Sequence, residues 1–234
     1  MLTARCQFAT PTRRLALTPH SELKSSVYCM QETKLIIGLT GGIASGKSTA
    51  ARTLGEWGAH VIDADKLGHR AYLKDTSAYH AVIETFGEDT VGEDGEIDRR
   101  VLGGKVFGDA DKLKQLTDIV WPAIRGMAAA EIDEVHKAAP DRIIVLEAAV
   151  LIEAGWQDLV DEIWVIVVEP DVAVERATAR DGSDPAAVQA RIDAQLSNAE
   201  RMAAAGTVID NSGNAQQLTE TLMAAWSNLG DKNA

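Results

Sequence analysis

The strongest constraint on this chain is the segment 41–48, which reads Gly-Gly-Ile-Ala-Ser-Gly-Lys-Ser and matches the pattern G-x-x-x-x-G-K-[ST] in full. In such a loop the glycines let backbone N–H groups turn toward phosphate oxygens, and the following helix points its positive end at them. The apolar run 35–39 precedes the segment, and residues 48–57 have helical spacing. This strand–loop–helix context predicts a nucleoside triphosphate site, with an incidental glycine-rich turn as the alternative.

Each part of this phosphate loop has a predicted task. Lys47 is expected to reach the β- and γ-phosphates as a catalytic cation, and the Ser48 hydroxyl is expected to ligate Mg²⁺. The residues predicted to bind ATP in this loop are Gly42, Ile43, Ala44, Ser45, Gly46, Lys47, Ser48 and Thr49.

Short apolar runs alternate with helical patterns along the rest of the chain. They predict strands at residues 35–39, 59–62, 142–146, 163–168 and 207–209, and helices at 48–57, 109–136 and 214–229. Pro122 is expected to break or kink the second of these helices, and Asp184-Pro185 is expected to begin another. The alternation predicts an α/β fold with a mainly parallel five-stranded sheet, which binds ligands at the carboxyl ends of its strands.

Two acidic residues, Asp63 and Asp65, follow the second predicted strand. If the segment is extended, a spacing of two puts both side chains on one side, near the phosphate-binding edge. Asp65 is the preferred base for an attacking hydroxyl or ligand of a Mg²⁺-bound water. The alternative is that Asp65 only caps the helix expected to start near Lys66.

Arginines between Arg176 and Arg201 are candidates for stabilising a transferred phosphate. Arg180 stands at the end of a predicted helix before Asp181 and Gly182, and Arg191 lies in the next helix. A mobile segment carrying them would close over ATP. Solvated helix residues are the alternative.

The composition excludes several classes of protein. A formal net charge of −12 disfavours a general nucleic-acid binder, and no apolar run approaches the roughly 18 residues of a membrane span. Both cysteines, Cys6 and Cys29, precede the first strand, which fits the reducing cytosol.

Residues 1–33 are basic and rich in Ser and Thr. They are interpreted as a disordered or non-native extension, with Met30 as the real start. The alternative is an organelle transit peptide.

The segment from Leu35 to Trp226 resembles dephospho-coenzyme A kinases along nearly its whole length. The resemblance is carried by residues 37–43, 58–65, 180–182, 191–195 and 209–213, which read IGLTGGI, GAHVIDAD, RDG, RIDAQ and IDNSG. Residues 67–72, 116–122 and 148–156 are closer to the kinase domain of bifunctional coenzyme A synthase. The chain is too short for the partner adenylyltransferase domain, so we expect the kinase alone.

The resemblance implies a P-loop NTPase three-layer αβα core over residues 34–230, with a helical substrate-binding lobe at about 66–125 and a lid at about 180–201. It implies transfer of the ATP γ-phosphate to the ribose 3′-hydroxyl of dephospho-coenzyme A, with ATP as co-substrate and no obligate protein partner. The implied site residues are Asp65 as base, Arg180 as lid arginine, and Asn211 and Gly213 near adenine. Asp65, His69, Arg125 and Arg191 are expected to contact the acceptor, with a structural role as the alternative for His69.

Three residues depart from the family pattern. Ala44 stands where bacterial members usually have glycine, Trp121 where they have histidine, and Glu147 where they have aspartate. A shifted loop conformation is therefore expected at Ala44, and the role of Glu147 stays open.

Three other classes of function are alternatives to this one. A GTP-binding switch needs an [NT]-K-x-D motif, which the sequence lacks; only residues 65–68 match D-x-x-G. A non-catalytic P-loop module is disfavoured by the intact Lys47, Ser48 and Asp65. A nucleoside or nucleotide kinase shares the core chemistry and differs only in the acceptor lobe.

Overall fold

A computed structural model describes residues 35–232. The predictions for residues 1–33, an extension or a transit peptide, lie outside the described residues. The described part contains a five-stranded sheet in which every pairing is parallel, with the order β2-β3-β1-β4-β5. Its strands are β1 (Ile36–Gly41), β2 (His60–Asp63), β3 (Ile144–Glu147), β4 (Glu162–Val167) and β5 (Thr207–Asp210).

Nine helices occur between residues 35 and 232. They are α1 (Lys47–Glu56), α2 (Ala64–Ala71), α3 (Ser77–Phe86), α4 (Arg99–Val106), α5 (Ala110–Ala138), α6 (Pro170–Asp181), α7 (Pro185–Asp193), α8 (Asn198–Ala203) and α9 (Ala215–Lys232). Two short 3₁₀ turns, Glu88–Thr90 and Gln157–Leu159, complete the pattern. The five predicted strands are confirmed, with ends that differ by one or two residues.

The sheet is buried on both faces, as parallel sheets require. On one face Leu54 of α1 and Leu222 of α9 pack against the strands. On the other face Leu67 of α2 and Ile124 of α5 pack against them. The expected three-layer αβα core is therefore confirmed.

A smaller apolar cluster lies in α3, α4 and the turns between them. It is formed by Tyr79, Val82, Phe86, Ile97, Leu102 and Val106. Helices α2, α3, α4 and the first half of α5 occupy the range predicted for a helical acceptor lobe, and that assignment stays a prediction.

The long helix α5 begins after Asp109, whose carboxylate caps it by accepting hydrogen bonds from the amides of Asp111 and Lys112. It runs unbroken through Pro122. The predicted break is wrong, because Val120 and Ile124 are both buried in the core beside the proline and their packing supports the helix. The alternative of a kink at Pro122 stays a prediction. Within residues 35–232, no helix is both long enough and apolar enough to cross a lipid bilayer.

Candidate active site

The phosphate loop lies between β1 and α1, as the sequence predicts. Strand β1 ends at Gly41 and α1 begins at Lys47, after Gly46 in a left-handed conformation with φ 89°. No side chain caps α1, and its first turn carries no acidic residue. The first amide groups of this helix therefore remain available to an anion, and its dipole favours one.

Asn211 holds the phosphate loop from the end of β5. Its side-chain amide donates a buried hydrogen bond of 2.7 Å to the carbonyl of Ser45. A Cβ atom at Gly46 would lie 2.2 Å from Asn211 Nδ2, so the close approach as well as the positive φ requires glycine there. Asn211, expected near adenine, thus also shapes the predicted phosphate-binding loop.

Ala44 adopts φ 54°, a left-handed conformation that glycine adopts freely. The same conformation costs alanine about 1–2 kcal/mol of conformational free energy. Ala44 therefore takes a backbone conformation that favours glycine and retains the strain, and the expected shift of the loop relative to other members stays a prediction.

Lys47, Ser48 and Glu147 form a polar group beside the ends of β1 and β3, in which Glu147 is buried, Lys47 is half-buried and Ser48 is exposed. The Lys47 ammonium lies 3.0 Å from Glu147 Oε1, and the Ser48 hydroxyl donates to the same oxygen over 2.8 Å. Glu147 is 6% exposed. A hydroxyl and a carboxylate oxygen are the hard ligands that Mg²⁺ takes in proteins, so this donor set fits that ion.

Asp63, rather than Asp65, caps helix α2. Its carboxylate accepts from the Lys66 amide over 3.1 Å and lies 3.2 Å from the Lys66 ammonium. Partial burial opposes the charge, but the bonds from Lys66 outweigh it and lower the pKa of Asp63 below its ordinary value of 3.8. The alternative reading of Asp65 as a cap is wrong, because α2 begins at Ala64 and not near Lys66.

Asp65 consequently sits in the first turn of a helix rather than on an extended segment. The expected common orientation of both carboxylates along a strand is wrong for the same reason.

Replacing the cap should destabilise the fold in a pH-dependent way. We expect Asp63→Ala to lower the free energy of unfolding by about 1 kcal/mol at neutral pH. Since the folded pKa is depressed, this stabilisation is present above 3.8 and is lost as the pH falls through the folded pKa. Urea unfolding at about pH 7 and about pH 3 checks this, because the difference in the free energy of unfolding between wild type and variant should be smaller at about pH 3. A larger difference at about pH 3 would contradict the role of Asp63 as the helix cap.

Asp65 is exposed and lines two cavities at once. One, of about 520 Å³, is formed by the phosphate loop together with Ala149, Arg176, Arg180 and Gln195. The other, of about 620 Å³, lies against the helical lobe and includes His69, Tyr72, Phe107, Trp121 and Trp156. Asp65 is the one side chain among the described residues that lines both, so it stands where two ligands would meet.

Two arginines of α6 line the phosphate-loop cavity. Arg180 forms two hydrogen bonds with Asp181, at 2.7 and 2.8 Å, which raise the pKa of Arg180 and lower that of Asp181. Arg176 donates to the carbonyls of Asn211 and Gly213. Helix α6 ends at Asp181, and Gly182 follows it in a left-handed conformation with φ 64°.

The other predicted acceptor residues do not line the phosphate-loop cavity. His69 lines the lobe cavity, whereas the Arg125 guanidinium lies 2.5 Å from the Asp158 carboxylate. Arg191 is exposed on α7 and lines neither of these two cavities. Their acceptor contacts remain predictions.

Gln195 also lines the phosphate-loop cavity, and the sequence did not predict its role. Its side-chain oxygen accepts from the Ile43 amide over 3.0 Å. The next residue, Leu196, accepts from Arg201, which is 2% exposed and paired with Glu153 over 3.1 Å. The segment before α8 is thus fastened to the phosphate loop. No local pattern indicates this, since Gln195 and Ile43 are 152 residues apart.

Comparison with protein families gives one match over most of the chain. The family model described as dephospho-CoA kinase matches residues 35–217. A dephospho-CoA kinase of Geobacter sulfurreducens is 43% identical over 192 residues, which cover 82% of this chain and 97% of the relative. One of Carboxydothermus hydrogenoformans is 42% identical over 194 residues, covering 82% and 94%.

Solved structures give the same fold. A protein of Thermus thermophilus superposes with a TM-score of 0.70 at 34% identity, covering 83% of this chain and 97% of that one. A dephospho-CoA kinase from Campylobacter jejuni superposes with a TM-score of 0.65 at 23% identity, covering 85% and 98%.

Proposed function

Because the chain belongs to the dephospho-CoA kinase family, we propose that its two cavities hold ATP and dephospho-coenzyme A on either side of Asp65. The chain is an ATP-dependent kinase of the last step of coenzyme A biosynthesis. The γ-phosphate of ATP passes to the ribose 3′-hydroxyl of the acceptor. The observation that carries this assignment is the position of Asp65, which lines both the phosphate-loop cavity and the lobe cavity.

The phosphate loop holds the triphosphate. The uncapped start of α1 supports this role, because its amide groups and dipole attract an anion. Lys47 neutralises charge on the β- and γ-phosphates. The ammonium of Lys47 is already held at the mouth of the loop by Glu147, so it needs little reorganisation when the nucleotide enters.

Ser48 and Glu147 are the residues that would hold Mg²⁺. A bound Mg²⁺ ion supplies positive charge that neutralises the phosphate oxygens. Glu147 is longer than the aspartate usual at this position. Its hydrogen bond to Ser48 still puts a carboxylate oxygen beside the hydroxyl, which supports a shared role in holding the ion.

Asp65 accepts the proton of the attacking hydroxyl. Its carboxylate is not the helix cap and is exposed to both cavities, which leaves it free to face the acceptor. Bringing hydroxyl and phosphate together at one carboxylate supplies proximity as well as proton transfer.

Charged side chains of α6 complete the ATP cavity. Arg180 stabilises the transferring phosphate, and the loop of Asn211 and Gly213, which Arg176 holds through two carbonyls, faces the adenine. His69, Arg125 and Arg191 contact the acceptor. A cytosolic location, and the absence of nucleic-acid, membrane and obligate protein partners, stay predictions from the sequence.

A panel of hydroxyl acceptors tests the proposed function. The wild-type chain is given Mg-ATP with dephospho-coenzyme A, adenosine, a pyrimidine nucleoside or nucleoside monophosphates, and ADP release is followed. We expect kcat/KM for dephospho-coenzyme A to exceed that for each other acceptor by about 10²-fold or more. A nucleoside or nucleoside monophosphate used equally well would show a different acceptor class.

A further inference from the structure

Phe107 is the most exposed of the large apolar side chains in residues 35–229, at 77%. Isolated apolar residues on a surface are ordinary and need no explanation. Phe107 is not isolated, because it lines the lobe cavity together with Tyr72, Trp121 and Trp156, and Asp65 lies in the same cavity. An aromatic ring left open to solvent in such a cavity is a surface prepared for a ligand.

The backbone on both sides of Phe107 is fixed. Its amide donates to the Gly103 carbonyl over 2.8 Å at the end of α4. Gly108 follows with φ 98°, and then Asp109 caps α5. The ring therefore stands on an ordered corner between two helices.

One side of the ring rests on Gly103. A Cβ atom at position 103 would lie 2.9 Å from Phe107 Cε2 and 3.1 Å from Cδ2, so the ring packs directly on the buried glycine backbone. The rest of the ring is open, as its exposure shows. A ring supported on one side and open elsewhere is a platform on which a flat group can stack.

We propose that Phe107 stacks on the adenine ring of the acceptor nucleotide and so sets the position of its ribose. This inference rests on the proposed function. The reacting ribose hydroxyl must reach Asp65, and the adenine is joined to that same ribose, so the base is confined to the cavity that Asp65 and Phe107 share. The pantetheine arm begins on the opposite, 5′ side of the ribose and is free to extend away.

Stacking of a base on an aromatic side chain changes affinity by roughly 5- to 150-fold. We therefore expect Phe107→Leu to raise the KM for dephospho-coenzyme A about ten-fold, with the KM for ATP unchanged. Phe107→Tyr keeps a flat ring and should behave as wild type. The control is Leu113→Ala, which removes an exposed apolar side chain of α5 that does not line the cavity.

The part of the acceptor that Phe107 contacts is identified with fragments. At saturating ATP, inhibition by AMP and by 4′-phosphopantetheine is measured against dephospho-coenzyme A in wild type, Phe107→Leu and Phe107→Tyr. We expect the leucine variant to weaken AMP inhibition about ten-fold and to leave inhibition by 4′-phosphopantetheine as in wild type. Melting temperatures should be equal, because the ring is exposed.

Several results would overturn the proposal. The first is an unchanged KM for dephospho-coenzyme A, or a raised KM for ATP, in Phe107→Leu. The second is a Phe107→Tyr variant as impaired as Phe107→Leu. The third is a Phe107→Leu variant in which inhibition by 4′-phosphopantetheine is weakened and inhibition by AMP is not. Wild-type turnover of dephospho-coenzyme A reports on the proposed function independently, so the failure of one is distinguishable from the failure of the other.

Discussion

Lys47→Ala is expected to lower kcat by about 10²-fold or more, since one charged contact to the transferring group contributes about 3 kcal/mol to the transition state. Lys47 is the cation of the phosphate loop, and its ammonium is fixed 3.0 Å from Glu147. Steady-state kinetics with Mg-ATP and dephospho-coenzyme A measure the loss. A folded variant with near-normal kcat would refute the role of Lys47.

This variant also leaves Glu147 buried without its cation, and such an unpaired charge costs several kcal/mol of stability. A lost activity therefore needs a control for folding. The double variant Lys47→Ala/Glu147→Gln removes the unpaired charge, so we expect its melting temperature to recover while its turnover stays low. If the melting temperature and the turnover both recovered in the double variant, Lys47 would act only on stability.

Asp65→Asn is expected to abolish transfer while ATP binding and stability are retained. General base catalysis contributes about 10²- to 10⁴-fold to a rate, and asparagine cannot accept the proton. Asp65 is exposed and does not cap α2, so its loss should leave the free energy of unfolding unchanged. Rapid-quench transfer, ATP titration and urea unfolding measure the three quantities.

The matched control is Asp63→Asn, two residues away. Asparagine caps helices as well as aspartate, so this variant should fold and transfer phosphate like wild type. If Asp65→Asn keeps transfer within a few-fold of wild type, Asp65 is not the base.

The strands and the phosphate loop were predictable because their signals are local. Apolar runs of three to six residues, such as residues 163–168, are bounded by turns and have no competing interpretation as long helices. The loop motif fixes its own strand and helix, which the structure confirms at Gly41 and Lys47.

The choice between Asp63 and Asp65 as a cap was not predictable. Both are acids ahead of Lys66, and a shift of two residues in the start of α2 decides which one accepts the amide hydrogen bond. Pro122 is a second position where the local sequence did not decide the bounds of a helix. A proline is a local signal for a helix break, and burial of Val120 and Ile124 in the core overrides it.

The contacts that complete the site are long-range. Lys47 and Glu147 are 100 residues apart, and Asn211 and Ser45 are 166 apart. Spacing along the chain carries no information on such pairs. Only the resemblance to a family indicated that Asn211 belongs to the site, and it gave no reason to expect its bond to the loop.

The two cavities that Asp65 lines are proposed to bring the γ-phosphate of ATP to a single ribose hydroxyl beside that carboxylate. The most direct test is phosphorus NMR of the product that the wild-type chain makes from Mg-ATP and dephospho-coenzyme A. We predict one new phosphomonoester, on the ribose 3′-oxygen, in equal amount to ADP. A 2′-phosphate, or ADP with free phosphate and an unchanged acceptor, would contradict it.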